Sequence, residues 1–153
     1  MNTNQEPIEQ QIGFSDEFTY NDQPIKYEIT YKVLSLKQDM CTRGDLYYAD
    51  LPIMKDSQVQ QGVRPVLIIS NDKANKYSPV INVIPLTTCL TKTQLPTHVT
   101  LIGYGLPKQS VLLAEQILSI DKKKLLGKIG SVNDESTLAK INRAINIQLD
   151  MIA

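Results

Sequence analysis

Several residue types are scarce in this chain of 153 residues, and each scarcity argues against a class of protein. There is no tryptophan, one histidine and a pair of cysteines, Cys41 and Cys89, which lie far apart in the sequence. Isolated thiols do not make a disulfide framework and show no metal-ligand spacing, so we predict a reducing compartment, no metal and no cofactor. The net charge is zero, which argues against a histone-like nucleic-acid binder but leaves a local basic groove open.

Long hydrophobic runs are also lacking. No apolar run approaches the roughly 18 residues that a membrane-spanning helix needs, so we predict no contact with a membrane. The N-terminal residues (MNTNQEPIEQQ) lack a charged segment followed by an apolar one, so we expect no secretory signal and a cytoplasmic location. The hydrophobic residues that are present, 42% of the chain, suffice to bury the core of one domain.

Residues 1–39 differ in pattern from the rest of the chain. The first 13 residues are polar and rich in amides, and we expect disorder there. The cluster Asn21-Asp22-Gln23-Pro24 is typical of a turn, and residues 25–33 (IKYEITYKV) alternate as a half-buried strand does. We therefore predict an N-terminal extension over 1–39 that is partly disordered and contains a β-hairpin within 17–34.

Short apolar runs bounded by turn-forming residues begin near Arg43. Their lengths and patterns predict strands rather than helices. The predicted strands are 45–51 (DLYYADL), 65–70 (PVLIIS), 80–86, 97–102 at an edge, 110–113 and 116–120. The predicted polar loops are 53–62, 71–79 and 87–96.

The apolar period changes after Asp121, which we predict as the N-cap of a short helix over 122–129 (KKKLLGKI). Asn133 or Asp134 is the predicted cap of a longer helix. In that helix an apolar stripe recurs at spacings of three and four: Leu138, Ile141, Ile145, Leu149 and Ile152. Short strands followed by a closing helix predict a small antiparallel barrel with a helix packed on it.

Several motifs in register resemble the MazF/PemK family of toxin endoribonucleases: RGDLYYADL, GVRPVLIISND, NKYSP, LPTHV and SVLLAEQILSIDKKKL. The resemblance spans about residues 41–153 and implies a toxin domain over 40–153. It implies an α+β, mainly β fold, an SH3-like antiparallel β-barrel with a C-terminal helix, which CcdB shares. It also implies a homodimer of a type II toxin-antitoxin system that cleaves single-stranded RNA (mRNA) at short sequences without metal. A MazE-like antitoxin would neutralise it.

The resemblance also assigns site residues. Arg64, in GVRP, falls on the catalytic arginine of the family, and Thr87 falls on its catalytic threonine. When the 2′-hydroxyl of RNA attacks the phosphate, a guanidinium can grip two phosphoryl oxygens and a threonine hydroxyl can donate to them. Amides and hydroxyls suit contacts with unpaired base edges and phosphates. The predicted RNA-binding residues are Gln60, Gln61, Thr88 and Gln116.

The chain departs from the family pattern at the loop SQVQQG (57–62), which lacks an acidic residue and a glycine, and at Leu118, where the family often has arginine. The only histidine, His98, is expected to be structural or at the surface, which rules out a two-histidine mechanism. Two alternatives stay open. One is a CcdB-like poison of a DNA-handling enzyme, and the other is a catalytically weak module occluded by its N-terminal hairpin.

Overall fold

The computed structural model describes residues 18–20, 23–25, 40–90 and 95–151. The chain divides into two compact units, Met1–Asp39 and Met40–Ala153, and each is described by itself. In the first unit, strand β1 (Phe18–Tyr20) pairs antiparallel with β2 (Gln23–Ile25). Gln23 and Pro24 therefore lie in a strand and not in the predicted turn. The rest of the predicted hairpin, and the alternative in which it occludes the second unit, fall outside the described residues.

The described part of the second unit contains one antiparallel sheet and two α-helices. Helix α1 (Asp72–Tyr77) lies between the second and third strands of this sheet, and α2 (Glu135–Gln148) follows the last strand. The strands are β3 (Asp45–Leu51), β4 (Gly62–Ile68), β5 (Val80–Thr87), β6 (His98–Leu101), β7 (Ser110–Leu113), β8 (Leu118–Asp121) and β9 (Leu125–Ser131). The predicted α+β, mainly β fold with a closing helix is confirmed.

The sheet branches at β5. Its strand order is β6-β7-β5-β4-β3-β9, and β8 pairs with the first half of β5. Residues at alternate positions of the central strands enter two different cores, because successive side chains of a strand point to opposite faces. One core contains Leu46, Leu67 and Ile84, and the other contains Ala49, Val66 and Val83.

Helix α2 packs on the first of these cores. The side chain of Asp134 caps it by accepting a hydrogen bond from the backbone N–H of Thr137 at 2.8 Å. Ile141 and Ala144 are its fully buried residues. Of the predicted apolar stripe, Leu138, Ile141 and Ile145 pack against the core, whereas Leu149 lies at the C-cap with 52% of its surface exposed. Ile152 lies outside the described residues.

Two predictions of secondary structure are wrong. The predicted loop over 71–79 contains α1, which the side chain of Asn71 caps by accepting from the backbone N–H of Ala74 at 2.9 Å. The predicted helix over 122–129 is a 3-10 turn (Lys122–Lys124) followed by strand β9, and Asp121 makes no side-chain cap bond. Pairing of β9 with β3 therefore prevails over the helix propensity of lysine and leucine.

The remaining differences concern the ends of elements. Gly62 begins β4 instead of ending the loop, and Thr87 is the last residue of β5. The edge strand predicted over 97–102 is confirmed, since β6 stands at one end of the strand order. The strand predicted from residue 116 starts at Leu118, after a 3-10 turn (Ala114–Gln116). In the described part of the chain, no helix is long and apolar enough to cross a bilayer.

Candidate active site

Arg64 is a half-buried cation near the start of β4, opposite Ala49 of β3. Its Nε donates a hydrogen bond to the backbone carbonyl oxygen of Gln61 at 2.8 Å. Burial lowers the pKa of the guanidinium, because a partly desolvated cation loses hydration. Within residues 40–90 and 95–151, no carboxylate forms an ion pair with Arg64 and its terminal nitrogens make no hydrogen bond. The guanidinium is thus held at one nitrogen and lacks a described counterion.

The register of the sheet relates Arg64 to Thr87. Arg64 lies on the same face of β4 as Val66, two residues away. The paired positions of β4 and β5 end two residues short of both Arg64 and Thr87. The pairs of that register are Val66 with Pro85, Leu67 with Ile84 and Ile68 with Val83. The predicted catalytic residues therefore lie at the same end of this strand pair, each two residues beyond its last paired position.

Thr87 ends β5 and pairs with Val111 of β7 along its other edge. Its Oγ1 accepts a hydrogen bond from the backbone N–H of Cys89 at 3.2 Å. Because the oxygen serves as the acceptor in this bond, the hydroxyl proton can be donated to another group. Thr88 follows the strand and is half-buried, and no described hydrogen bond ties it to Arg64.

The loop between β3 and β4, residues 52–61, is held at its C-terminal end. The side-chain oxygen of Gln61 accepts from the backbone N–H of Met54 at 2.8 Å, which closes the loop on itself. The backbone N–H of Gln60 donates to Oε1 of Gln116 at 2.6 Å, which ties the loop to the turn after β7. Three of the predicted RNA-binding residues therefore meet beside Arg64.

Sequence reasoning did not predict the bonds that these amides make within the protein. Gln61 and Gln116 were predicted to bind RNA through their side chains, yet both side-chain oxygens bond to the protein backbone. No local pattern in the sequence signals a carbonyl that holds an arginine three residues later, because that contact depends on the shape of the loop.

His98 takes no part in this group. Its side chain is 7% exposed, and its Nε2 lies 2.9 Å from Oε1 of Glu115. The other oxygen of Glu115 accepts from the hydroxyl of Thr97 at 3.2 Å. His98 is therefore a structural residue that joins β6 to the turn after β7, as expected from the sequence.

The site combines a guanidinium, a hydroxyl and backbone groups of a braced loop. A partly desolvated arginine without a carboxylate partner favours an anionic ligand, and its planar fork matches the oxygens of a phosphate. In the described part of the chain, no three side chains of His, Cys, Asp or Glu are grouped so as to hold a metal ion. The arrangement suits the binding of a phosphodiester.

Comparison with known proteins identifies the family. The sequence profile of the PemK-like, MazF-like toxins of type II toxin-antitoxin systems matches residues 42–149. The chain belongs to this toxin family. It is 45% identical over 112 residues to endoribonuclease EndoA of Bacillus subtilis, a match that covers 72% of this chain and 95% of the relative. Endoribonuclease MazF of Staphylococcus saprophyticus is 43% identical over 114 residues, covering 73% of this chain and 93% of the relative.

Solved structures agree with this membership. A mycobacterial endoribonuclease in complex with its cognate antitoxin is 29% identical, with a TM-score of 0.61 over 74% of this chain and 98% of that chain. MazF from Deinococcus radiodurans has a TM-score of 0.62 at 21% identity, over 73% of this chain and 98% of that chain, and it bears on the fold alone. The predicted MazF-like fold and the predicted family are both confirmed.

Proposed function

We propose that this member of the PemK-like, MazF-like family is a sequence-specific endoribonuclease toxin of a type II toxin-antitoxin system. It cleaves single-stranded RNA in the cytoplasm. Relatives that are 43% and 45% identical are named endoribonucleases, which favours this function over a CcdB-like poison. The observation that carries the proposal is the half-buried Arg64, which is held at Nε by Gln61 and lies, like Thr87, two residues beyond the last pair of β4 and β5.

The proposed reaction uses the RNA as its own nucleophile and needs no metal. The 2′-hydroxyl oxygen attacks the adjacent phosphorus and loses its proton, while the bond from phosphorus to the 5′-oxygen breaks and that oxygen takes up a proton. The products are a 2′,3′-cyclic phosphate and a 5′-hydroxyl. Negative charge grows on the non-bridging oxygens in the transition state, so donors already fixed around them are the largest source of acceleration.

Arg64 is the residue that we assign to these oxygens. Its Nε bond to the Gln61 carbonyl fixes the plane of the guanidinium and directs the terminal nitrogens to the substrate. Arg64 has lost part of its hydration to burial and has no described counterion. A bound phosphate would supply the opposite charge that stabilises it. An arginine keeps its charge at any working pH, so this interaction does not depend on a titration.

Thr87 is assigned to the same phosphate. Its oxygen accepts from the Cys89 backbone, and its proton is therefore available to a phosphoryl oxygen or to the attacking 2′-hydroxyl. Gln60 and Thr88 are proposed to contact the RNA on either side of the scissile bond, through the loop and through the chain that follows β5. Orientation of the RNA by these contacts supplies the rest of the acceleration.

The proposal includes partners. A mycobacterial relative of similar fold was solved with its cognate antitoxin, and we propose a MazE-like antitoxin for this chain as well. We also propose that the toxin is a homodimer. Light scattering of the purified toxin, alone and with the co-expressed antitoxin, measures both assemblies, and a monomer that inhibits growth without binding an antitoxin would contradict this part.

Cleavage of a long single-stranded RNA in the presence of a chelator tests the function. Wild type is expected to produce fragments that end in a cyclic phosphate and begin with a 5′-hydroxyl. Arg64→Ala and Thr87→Ala are expected to abolish these fragments, whereas Arg143→Ala, which removes an exposed arginine of α2, is expected to leave them unchanged. Cleavage that persists in both site variants, or that requires an added metal ion, would contradict the mechanism.

A further inference from the structure

Gln116 ties the β3–β4 loop to the body of the domain. It is the last residue of the 3-10 turn Ala114–Gln116, which follows β7 and belongs to the folded core through the buried Ala114. Its Oε1 accepts the backbone N–H of Gln60 at 2.6 Å, across 56 positions of sequence. One lone pair of this amide oxygen therefore accepts from the protein backbone, which fixes the orientation of the Gln116 side chain.

A short path of bonds leads from Gln116 to Arg64. Gln60, whose N–H is held by Gln116, is directly followed by Gln61, whose carbonyl oxygen accepts from Nε of Arg64 at 2.8 Å. The side chain of Gln61 adds a bond to the backbone N–H of Met54 at 2.8 Å. The φ and ψ angles of both residues lie between the Gln60 N–H and the Gln61 carbonyl, so the bond of Gln60 to Gln116 restricts where that carbonyl points together with the bond of Gln61 to Met54.

We propose that Gln116 is a positioning residue, which orients the guanidinium of Arg64 through the backbone of Gln60 and Gln61. This inference rests on the proposed function, and it revises the prediction that Gln116 binds RNA. The reacting phosphate contacts Arg64. Gln116 affects the reaction only by holding the loop in the conformation that orients the Arg64 guanidinium. Small displacements of a group that binds the transition state lower the rate more than they lower substrate binding.

The neighbouring residue holds the opposite side of the same turn. Glu115 bonds to Thr97 and His98 at the start of β6, whereas Gln116 bonds to Gln60. One turn therefore fixes both the loop before β4 and the first residues of β6. The two attachments are separate, so a change at Gln116 alone releases the loop and leaves the bonds of Glu115 in place.

Steady-state kinetics of substitutions at Gln116 test the inference. Gln116→Met keeps the length of the side chain and removes the acceptor, and it is expected to lower kcat about tenfold while KM changes less than about twofold. Gln116→Glu keeps an acceptor oxygen, so kcat is expected to stay within about twofold of wild type, and its added charge is expected to raise KM instead. The matched control Gln58→Met changes an exposed glutamine of the same loop and is expected to leave both constants unchanged.

A second measurement follows Arg64 without any RNA. The Nε–H resonance of Arg64 in a nitrogen–proton correlation spectrum exchanges slowly with water while its bond to the Gln61 carbonyl persists. We expect this protection to fall about tenfold in Gln116→Met and to be retained in Gln58→Met and Gln116→Glu. These spectra report on the positioning role even if wild type cleaves no RNA, so failure of the inference and failure of the proposed function are distinguishable.

Two results would overturn the inference. One is an unchanged Arg64 resonance in a folded Gln116→Met protein, which shows that the loop does not depend on this bond. The other is a loss of activity in Gln116→Met that appears in KM alone, which shows that Gln116 contacts the RNA directly. A fall in kcat together with a loss of protection at Arg64 supports the positioning role.

Discussion

The backbone carbonyl of Gln61 and the Nε of Arg64 are joined by a hydrogen bond of 2.8 Å, which spans three positions of the chain. Because the acceptor is a backbone carbonyl, the orientation of the Arg64 guanidinium depends on the conformation of the loop. The loop is closed by the side chain of Gln61 on Met54 and tied to the domain by Gln116. Loss of either of these two bonds is therefore expected to affect both the choice of RNA site and the orientation of Arg64.

Replacing Gln61 by alanine tests how the loop selects RNA. Gln61→Ala keeps the carbonyl that holds Arg64 but loses the bond to the Met54 N–H, so the loop loosens. We expect cleavage to continue at a rate reduced about fivefold to tenfold, with a broader set of cleaved sequences, because one backbone hydrogen bond is worth about 1 kcal/mol. Sequencing of the RNA fragments from their new 5′-ends identifies the set of cleaved sequences. A set identical to that of wild type would contradict the role of the loop in specificity.

Replacing Thr87 by serine or valine tests the hydroxyl. Thr87→Ser keeps a donor at the end of β5 and is expected to retain most of the activity. Thr87→Val keeps the shape but removes the donor, and kcat is expected to fall about a hundredfold, as is typical when one donor to a developing charge is lost. Single-turnover cleavage of a short RNA measures both variants, and equal activity of the two would exclude a role for the hydroxyl.

Asp45 makes stability depend on pH. Asp45 is 2% exposed, and burial alone would raise the pKa of its carboxyl group. Hydrogen bonds from the Ser131 hydroxyl at 2.6 Å and the Thr42 backbone N–H at 2.9 Å, with Lys128 at 3.1 Å, outweigh burial and lower the pKa. A carboxyl whose pKa is lowered by folding stabilises the fold above its unfolded pKa of about 3.9, and this contribution is lost as the pH falls toward the lower folded value.

We therefore expect Asp45→Asn to lower the free energy of unfolding by about 2 kcal/mol at pH 6, since it removes charge-assisted hydrogen bonds in a buried site. The difference from wild type is expected to shrink below about pH 4, where the unfolded chain begins to bind the proton. Urea unfolding at several pH values measures this difference. The control Asp121→Asn replaces an exposed carboxylate of β8 and is expected to follow the wild-type curve. If the difference in unfolding free energy between Asp45→Asn and wild type did not change with pH, the lowered pKa of Asp45 would be contradicted.

The sequence correctly predicted the strands and helices in which apolar residues follow one period without interruption. Strand β3 was predicted with its observed bounds, and the stripe of α2 correctly included Ile141, which is buried. Helix α1 was missed because its six residues (DKANKY) carry no apolar period, although Asn71 and Asp72 are a recognisable helix start. Strand β9 was missed because a lysine–leucine pattern favours a helix in isolation.

Long-range packing decides the identity of β9. Gly130 lies so close to the carbonyl oxygen of Tyr104 that a Cβ atom there would collide with it. The strand pairs with β3 along its length, with two irregularities of register. Neither contact is visible from residues that are neighbours in the sequence, which is why pattern reading failed at this segment.

The candidate site was predictable only in part. Resemblance to a family pointed to Arg64 and Thr87, and both residues lie at the same end of the β4–β5 pair. The contacts of the amides were not predictable, because Gln60, Gln61 and Gln116 meet through a loop that is held by a bond across 56 positions of sequence. The side chains that looked suited to RNA are, in two cases, bonded to the protein backbone.

The central claim is that the Arg64 guanidinium stabilises the transition state at the scissile phosphate. Single-turnover cleavage and equilibrium binding of the same short RNA, compared among wild type, Arg64→Lys and Arg64→Ala, test it most directly. We expect the cleavage rate to fall at least about a hundredfold in both variants, because lysine keeps the charge but lacks the planar guanidinium that binds two phosphoryl oxygens. RNA affinity is expected to change by less than about fivefold. Cleavage at the wild-type rate in Arg64→Ala, or a loss of rate fully explained by weaker binding, would contradict the claim.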